Sequence, residues 1–235
     1  MASAVVDQML GGALWRVTNA DLASNSYLLA APGQTEPGSA CTVIDPGLDR
    51  AALELALETT GWLPTSVLCT HGHFDHVGGA AWLQQRFGVP VYLSAADLKL
   101  AKLSNFMMAA FKLKSRIGLP VFTLVDTSKI ADPALIESAG RRFHFYALPG
   151  HTPGSCAIDV DTLLFSGDSL YARRTGLSKL PGEDHALLRV SLQRLFNWIG
   201  GQVLVLPGHG GAATIDEIHA GNDALRAFMS VELQA

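Results

Sequence analysis

Residues 71–76 carry His71, His73, Asp75 and His76, separated only by Gly72 and Phe74. This run limits the fold more than any other stretch of the chain. Its four side chains offer imidazole nitrogen and carboxylate oxygen, the donors that zinc and related divalent ions accept. An apolar stretch at 66–69 leads into the run and a helical pattern at 80–87 follows it. The run therefore sits in a loop at a strand end, where the strand fixes one side and the turn aims side chains at a common point. Gly72 and Gly79 leave the backbone free to fold around such a point.

Six residues cannot surround two ions, so further ligands are expected from other strand ends. Apolar or β-branched runs at 26–31, 41–44, 66–69, 89–93, 143–148, 156–160, 162–165 and 203–206 read as strands. His151 in Gly150-His151-Thr152-Pro153, Asp168 in Ser166-Gly167-Asp168 and His209 in Pro207-Gly208-His209-Gly210 each follow one of them. The shared placement makes all three candidate ligands. His144 falls inside a predicted strand, and His185 and His219 fall on predicted helices, so these three read as structural.

Leucines and alanines at 52, 53, 56 and 57 predict a helix over 50–59 that ends at Gly61, and a second covers 80–87, stopped by Gly88 and Pro90. Asp184 is a candidate N-cap for a helix over 185–199, and a final helix is expected after Thr214. Segment 95–117 reads as one long amphipathic helix or two short ones. Leu103, Phe106, Met107, Ala110, Phe111 and Lys114 lie on one face of it. This segment reads as an ordinary core-facing helix or as a cap whose apolar residues shape a substrate pocket, with membrane-surface binding a distant third.

Repeats, low-complexity tracts and linkers are absent from the 235 residues, so one domain, 1–235, is the expectation. The net charge of -4 and the lack of a Lys/Arg run speak against a nucleic-acid partner. No stretch has the apolar length of a membrane span, and the first 14 residues lack a basic start, which leaves the cytoplasm as the expected location. Cys41, Cys69 and Cys156 are odd in number and lie in apolar segments, so they read as buried thiols.

The H-x-H-x-D-H run, the later histidine of Gly150-His151-Thr152-Pro153-Gly154-Ser155, the Gly167-Asp168 pair and Gly208-His209 resemble the metallo-β-lactamase fold hydrolases. The match extends in order from Asn25-Ser26-Tyr27-Leu28 and Val43-Ile44-Asp45-Pro46-Gly47 to Thr214-Ile215. The motifs at 150–155 and 165–171 are similar to the glyoxalase II-type, thioester-hydrolysing branch. The resemblance implies an α/β fold, an αβ/βα four-layer sandwich of two mixed sheets packed face to face with helices outside. It also implies His71, His73 and His151 on one metal, Asp75, His76 and His209 on the other, and Asp168 as the bridge.

This sequence departs from a strict glyoxalase II in two ways. It runs only 26 residues past His209, where that enzyme continues into a helical domain that binds glutathione, and it has Gly72 where that enzyme has another histidine. Asp168, where one group of β-lactamases uses Cys, argues against that group's antibiotic hydrolysis.

The expected function is hydrolysis of a thioester or ester carbonyl by a hydroxide bridging two divalent ions, zinc first with iron or manganese as alternatives. Asp75, beside the water, is the candidate catalytic residue for orienting it or shuttling its proton. Tyr171, Arg173, Arg174 and Lys179 fall in a loop that resembles a region lining the substrate cleft in related hydrolases, and an arginine there could pair with a carboxylate. Three other readings compete: a lactonase or β-lactamase on the same site, a persulfide dioxygenase of the same fold with one iron, and a catalytically silent sensor or partner-binding protein that retains the fold. The expected partner is a small molecule, with oligomeric state left open and a dimer among the options.

Overall fold

The computed structural model describes residues 4–129, 132–176, 180 and 182–231. Strands β1 (Val5–Met9), β2 (Leu14–Thr18), β3 (Asn25–Ala30), β4 (Ala40–Ile44), β5 (Leu63–Leu68), β6 (Val91–Ser94) and β7 (Phe122–Val125) form one sheet in that order. Its first four strands are an antiparallel meander and β4 to β7 run parallel. Strands β8 (Ala134–Ser138), β9 (Arg141–Ala147), β10 (Cys156–Val160), β11 (Leu163–Gly167), β12 (Leu204–Pro207) and β13 (Ala213–Thr214) form the second sheet. There only β11 and β12 run parallel.

The two sheets face each other across a shared core. Leu14, Tyr27, Leu29, Ile44 and Leu68 of the first meet Phe143, Phe145, Ile158, Phe165 and Leu206 of the second. Tyr27 and Phe165 pack edge to face with ring centroids 5.2 Å apart. On the outer face of the first sheet, Val43, Val67 and Val91 bury Leu53 and Leu57 of α1 (Arg50–Thr60) and Leu83 of a later helix. Two more helices follow, α2 (Phe74–Val77) and α3 (Ala80–Phe87), the latter carrying Leu83. Next in the chain are α4 (Leu98–Lys102) and α5 (Ser104–Ala110). The second sheet's outer face buries Leu188, Leu192 and Leu195 of α6 (His185–Trp198), with Ile215 and Ile218 of α7 (Ile215–Gly221) and Leu225 of α8 (Asp223–Met229). The result is the expected four-layer αβ/βα sandwich.

Capping chemistry sets the helix ends. Asp49 accepts from Ala52 N, and Gly61 closes α1 in the left-handed region at φ 67°. Asp184 accepts from Leu187 N at the start of α6, as its sequence predicts. After Thr214 there are two helices rather than one. Asn222 is fully buried, accepts from Leu225 N, and donates through Nδ2 to the carbonyls of Tyr171 and Arg174. That side chain starts α8 and ties the C-terminal helices to the loop after Asp168.

Segment 95–117 takes the two-short-helix alternative, but over a shorter span than expected. A 3-10 turn at Ala95–Asp97 leads into α4 and α5, and helix stops at Ala110, so the last third of the segment is not helical. Lys112 takes a left-handed φ of 60°, and Leu113 N bonds back to Met108 O, which ends the helix. The buried face also differs: Ala101, Ser104 and Met108 point inward, whereas Phe106 is 74% exposed. Strands β1, β2, β7, β8 and β13 carry no clear sequence signal, because they are short and mostly half-buried or exposed, with no continuous buried run to mark them. The three cysteines are buried and free, as expected. No helix among the described residues is long and apolar enough to cross a membrane.

Phe165 seals the space between the sheets at 1% exposure, so Phe165→Ala should cost about 3–5 kcal/mol in urea unfolding. A loss under about 1 kcal/mol would mean that the sheets do not depend on this contact.

Candidate metal centre

The ligand candidates from four separate places in the chain meet at one edge of the sandwich. The loop after β5 delivers His71 and His73, and α2 delivers Asp75 and His76. His151 follows β9, Asp168 follows β11 and His209 follows β12. His71 Nε2 lies 3.1 Å from His73 Nδ1, which lies 3.0 Å from His151 Nε2. Beside this group, His209 Nε2 is 3.4 Å from both Asp75 Oδ2 and Asp168 Oδ2, and His76 Nε2 is 3.4 Å from Asp168 Oδ1. Asp168 Oδ2 also stands 3.7 Å from His151 Nε2, so this carboxylate spans the two groups.

All seven are buried except His209, whose side chain is 14% exposed. His71, His73 and His151 form one set whose donor atoms lie within 4.8 Å of one another, and Asp75, His76 and His209 form another. A third set, Asp45, His71 and His76, meets the same distance. Asp45, however, already accepts from Thr70 N at 2.7 Å and Thr70 Oγ1 at 2.6 Å, and pairs with His76 Nδ1 at 3.1 Å. It orients His76 from behind.

The surrounding backbone leaves room only for what is there. A Cβ on Gly208 would come 2.1 Å from Asp168 Oδ1. A Cβ on Gly72 would come 2.9 Å from the Asp97 carbonyl oxygen and 3.2 Å from Ala101 N, so in this chain a side chain at 72 would require the 97–101 backbone to shift. Asp97, fully buried, accepts from Gly72 N at 2.8 Å, Gly154 N at 2.7 Å and Thr152 Oγ1 at 2.7 Å. It locks the His71 loop to the His151 loop. Asn25 donates to the carbonyls of Pro207 and Gly210, and Tyr27 Oη to that of Pro207 at 2.7 Å, which fixes the His209 loop onto the first sheet. Asp97 carries no sequence signal, and the run 25–28 marks Asn25 and Tyr27 only as part of the resemblance and not for this role, since the partners of the three lie 25 to 185 residues away.

Electrostatics divide the groups. Burial pushes His71 well down and His73 down to about 4, and the neighbouring histidines add to it. Burial also opposes charge on His76 and His209, but Asp168 and Asp75 outweigh it and lift them to about 9 and about 10. Burial would raise Asp168, yet His76 and His209 hold it well below the usual carboxylate range, and Asp75 is lowered the same way. Uncharged imidazoles therefore converge on one side, and protons held by carboxylates occupy the other. His76 Nε2 and Asp168 Oδ1 are buried with no hydrogen-bond partner among the described residues. Orphaned donor atoms beside paired carboxylates fit divalent cations.

A cleft of about 320 Å³ opens onto this edge. Leu22, Phe74, Met107 and Phe111 form its apolar side, and Phe74 and Phe111 meet edge to face at 5.6 Å. Tyr171 and Arg174 form the other side, with the guanidinium 4.7 Å above the phenol ring. The Tyr171 hydroxyl bonds Asp168, and burial and that carboxylate push its pKa well up. Of the loop residues named from sequence, Arg173 faces a different hollow beside Glu217, and Lys179 lies outside the described residues. Met107 and Phe111 reach the cleft, whereas Lys114 lies beyond the helix.

His73 is depressed from 6.5 to about 4, so its contribution to the stability of metal-free protein is present above pH 6.5. That contribution, on the order of 3 kcal/mol, is lost as pH falls through about 4. The raised His76 and His209 act oppositely, fully present below 6.5 and lost as pH rises through about 9 and 10. Urea unfolding of chelator-treated protein should peak near neutrality, and a flat profile from 6.5 to 4 would contradict this arrangement.

Comparison with known proteins agrees with the geometry. Residues 20–219 match the family described as the metallo-beta-lactamase superfamily. The probable metallo-hydrolase YqgX of Bacillus subtilis is 31% identical over 198 residues, 80% of this chain and 85% of that protein. The hydroxyacylglutathione hydrolase GloC of Haemophilus influenzae is 29% identical over 190 residues, covering 79% and 87%. The crystal structure of TTHA1623 in a di-iron-bound form superposes with a TM-score of 0.75 at 32% identity, covering 88% of this chain and 98% of that one. Fold, ligand-type residues and relatives together place the chain in the metallo-β-lactamase superfamily, on its glyoxalase II-like branch.

Proposed function

We propose that this protein is a binuclear metal hydrolase that cleaves a thioester or ester bond. One observation carries the reading: Asp168 stands between two buried ligand sets, with His76 on one oxygen and His151 and His209 on the other. His71, His73 and His151 would hold one ion and Asp75, His76 and His209 the second, with Asp168 shared. When bound, the ions supply Lewis acidity and a water activated near neutral pH. Imidazole and carboxylate donors suit zinc, iron or manganese. The di-iron form of TTHA1623 makes iron the metal to assay beside zinc.

The chain's own groups do the rest. Asp75, whose Oδ2 lies 3.4 Å from His209 and 3.6 Å from His76, is the carboxylate that would orient the attacking water and hold its proton. Tyr171, kept neutral by burial and Asp168, gives its one hydroxyl proton to that carboxylate and so holds the shared ligand in place, while its ring lines the cleft. Leu22, Met107 and Phe111 exclude water and receive an apolar acyl or alkyl arm, with α5 acting as the cap over a one-domain hydrolase. Arg174, exposed and with no carboxylate within 4.0 Å among the described residues, faces an anionic part of the substrate. The free buried thiols fit a cytoplasmic setting.

Metal-loaded protein should hydrolyse at least one member of a panel of thioesters, lactones, β-lactams and phosphodiesters, with thioesters fastest. Asp168→Ala should lower both bound metal and kcat/KM, the latter by at least ~100-fold. Failure on the whole panel, together with unchanged metal content in Asp168→Ala, would sink the assignment. Asp75→Asn with full metal and full rate would remove Asp75 from its role.

A further inference from the structure

The carboxylate of Glu183 lies behind the ligand cluster and belongs neither to the ligand sets nor to the cleft wall. Its side chain is 2% exposed, and a buried carboxylate persists only where something compensates its charge. The backbone places it there. Asp184 N donates to Gly150 O at 2.7 Å, and Ser191 Oγ to Pro149 O at 2.8 Å, clamping the start of α6 onto the His151 loop. The clamp is tight, because a Cβ on Gly150 would come 2.4 Å from Leu188 Cα.

Held in this way, Glu183 Oε1 stands 3.8 Å from His151 Nδ1, and Oε2 stands 3.6 Å from Nε2 of the part-exposed His185. His151 Nδ1 is buried and has no hydrogen-bond partner among the described residues. The other nitrogen of the same ring, Nε2, faces His73 and Asp168. One edge of the imidazole thus meets the ligand cluster and the opposite edge meets a carboxylate.

We infer that Glu183 is a positioning residue for His151. Its carboxylate accepts Nδ1–H after a closure of under ~1 Å, which fixes the tautomer whose Nε2 lone pair points at the ion shared with His71 and His73. His185, read from sequence as structural, faces the second oxygen of the same carboxylate. This inference rests on the metal reading proposed above.

The test is competition of Zn(II) and Co(II) against a chelator for wild type, Glu183→Leu and Glu183→Gln, with urea unfolding of each metal-free protein alongside. Glu183→Leu should weaken one of the two ions by about 10–100-fold and spare the other. Glu183→Gln, which keeps a neutral acceptor, should recover part of that loss, and neither should lower the metal-free midpoint. Should Glu183→Leu fail to fold, Glu183→Gln carries the comparison with the same one-ion readout. Unchanged affinities, or equal weakening of both ions, would overturn the inference, since a merely structural carboxylate would affect both sites alike. A wild-type chain that takes up no metal would instead overturn the metal reading itself.

Discussion

Three buried imidazole nitrogens stand within 3.1 Å of one another in sequence from His71 through His73 to His151, a spacing at which they cannot all carry protons. Burial keeps His71 and His73 uncharged, so lone pairs converge where water is largely excluded. A few ångströms away, Asp75 and Asp168 hold protons on His76 and His209. The edge of the sandwich is thus built around positive charge, whether carried by protons or by metal. Much of the surrounding structure is needed to hold this arrangement in place.

That holding is done by polar side chains reaching between loops. Asp97 ties the first loop to the His151 loop, Asp45, itself held by Thr70, braces His76 directly, and Asn25 and Tyr27 fasten the His209 loop to the first sheet. Asn222 extends the same logic to the cleft by gripping the carbonyls of Tyr171 and Arg174 from the C-terminal helices. Each uses a buried polar group fully satisfied by backbone or side-chain partners, which rigidifies a site more than apolar packing alone. The apolar part of the cleft comes instead from α5, a short helix packed on α2.

Sequence made the His71–His76 run legible because its chemistry is local, and strand-end placement extended the signal to His151, Asp168 and His209. The β-branched runs gave the interior strands, which bury side chains on both faces. Edge strands such as β1 and β8 are not legible because they are half-exposed and mix adjacent polar residues into a short apolar run, which leaves neither a buried run nor a period-2 pattern. The 95–117 pattern shows the two short helices but not where the second one ends, because periodicity does not register the left-handed turn at Lys112. Asp97 was hidden inside that same segment, and its partners at Gly72, Thr152 and Gly154 become neighbours only after both sheets have formed.

The most direct measurement is a crystal structure of metal-loaded protein with anomalous diffraction collected at the metal's absorption edge. Two peaks per chain are predicted, one among His71, His73 and His151 and one among Asp75, His76 and His209, with Asp168 touching both. A single peak, or peaks away from these residues, would contradict the account.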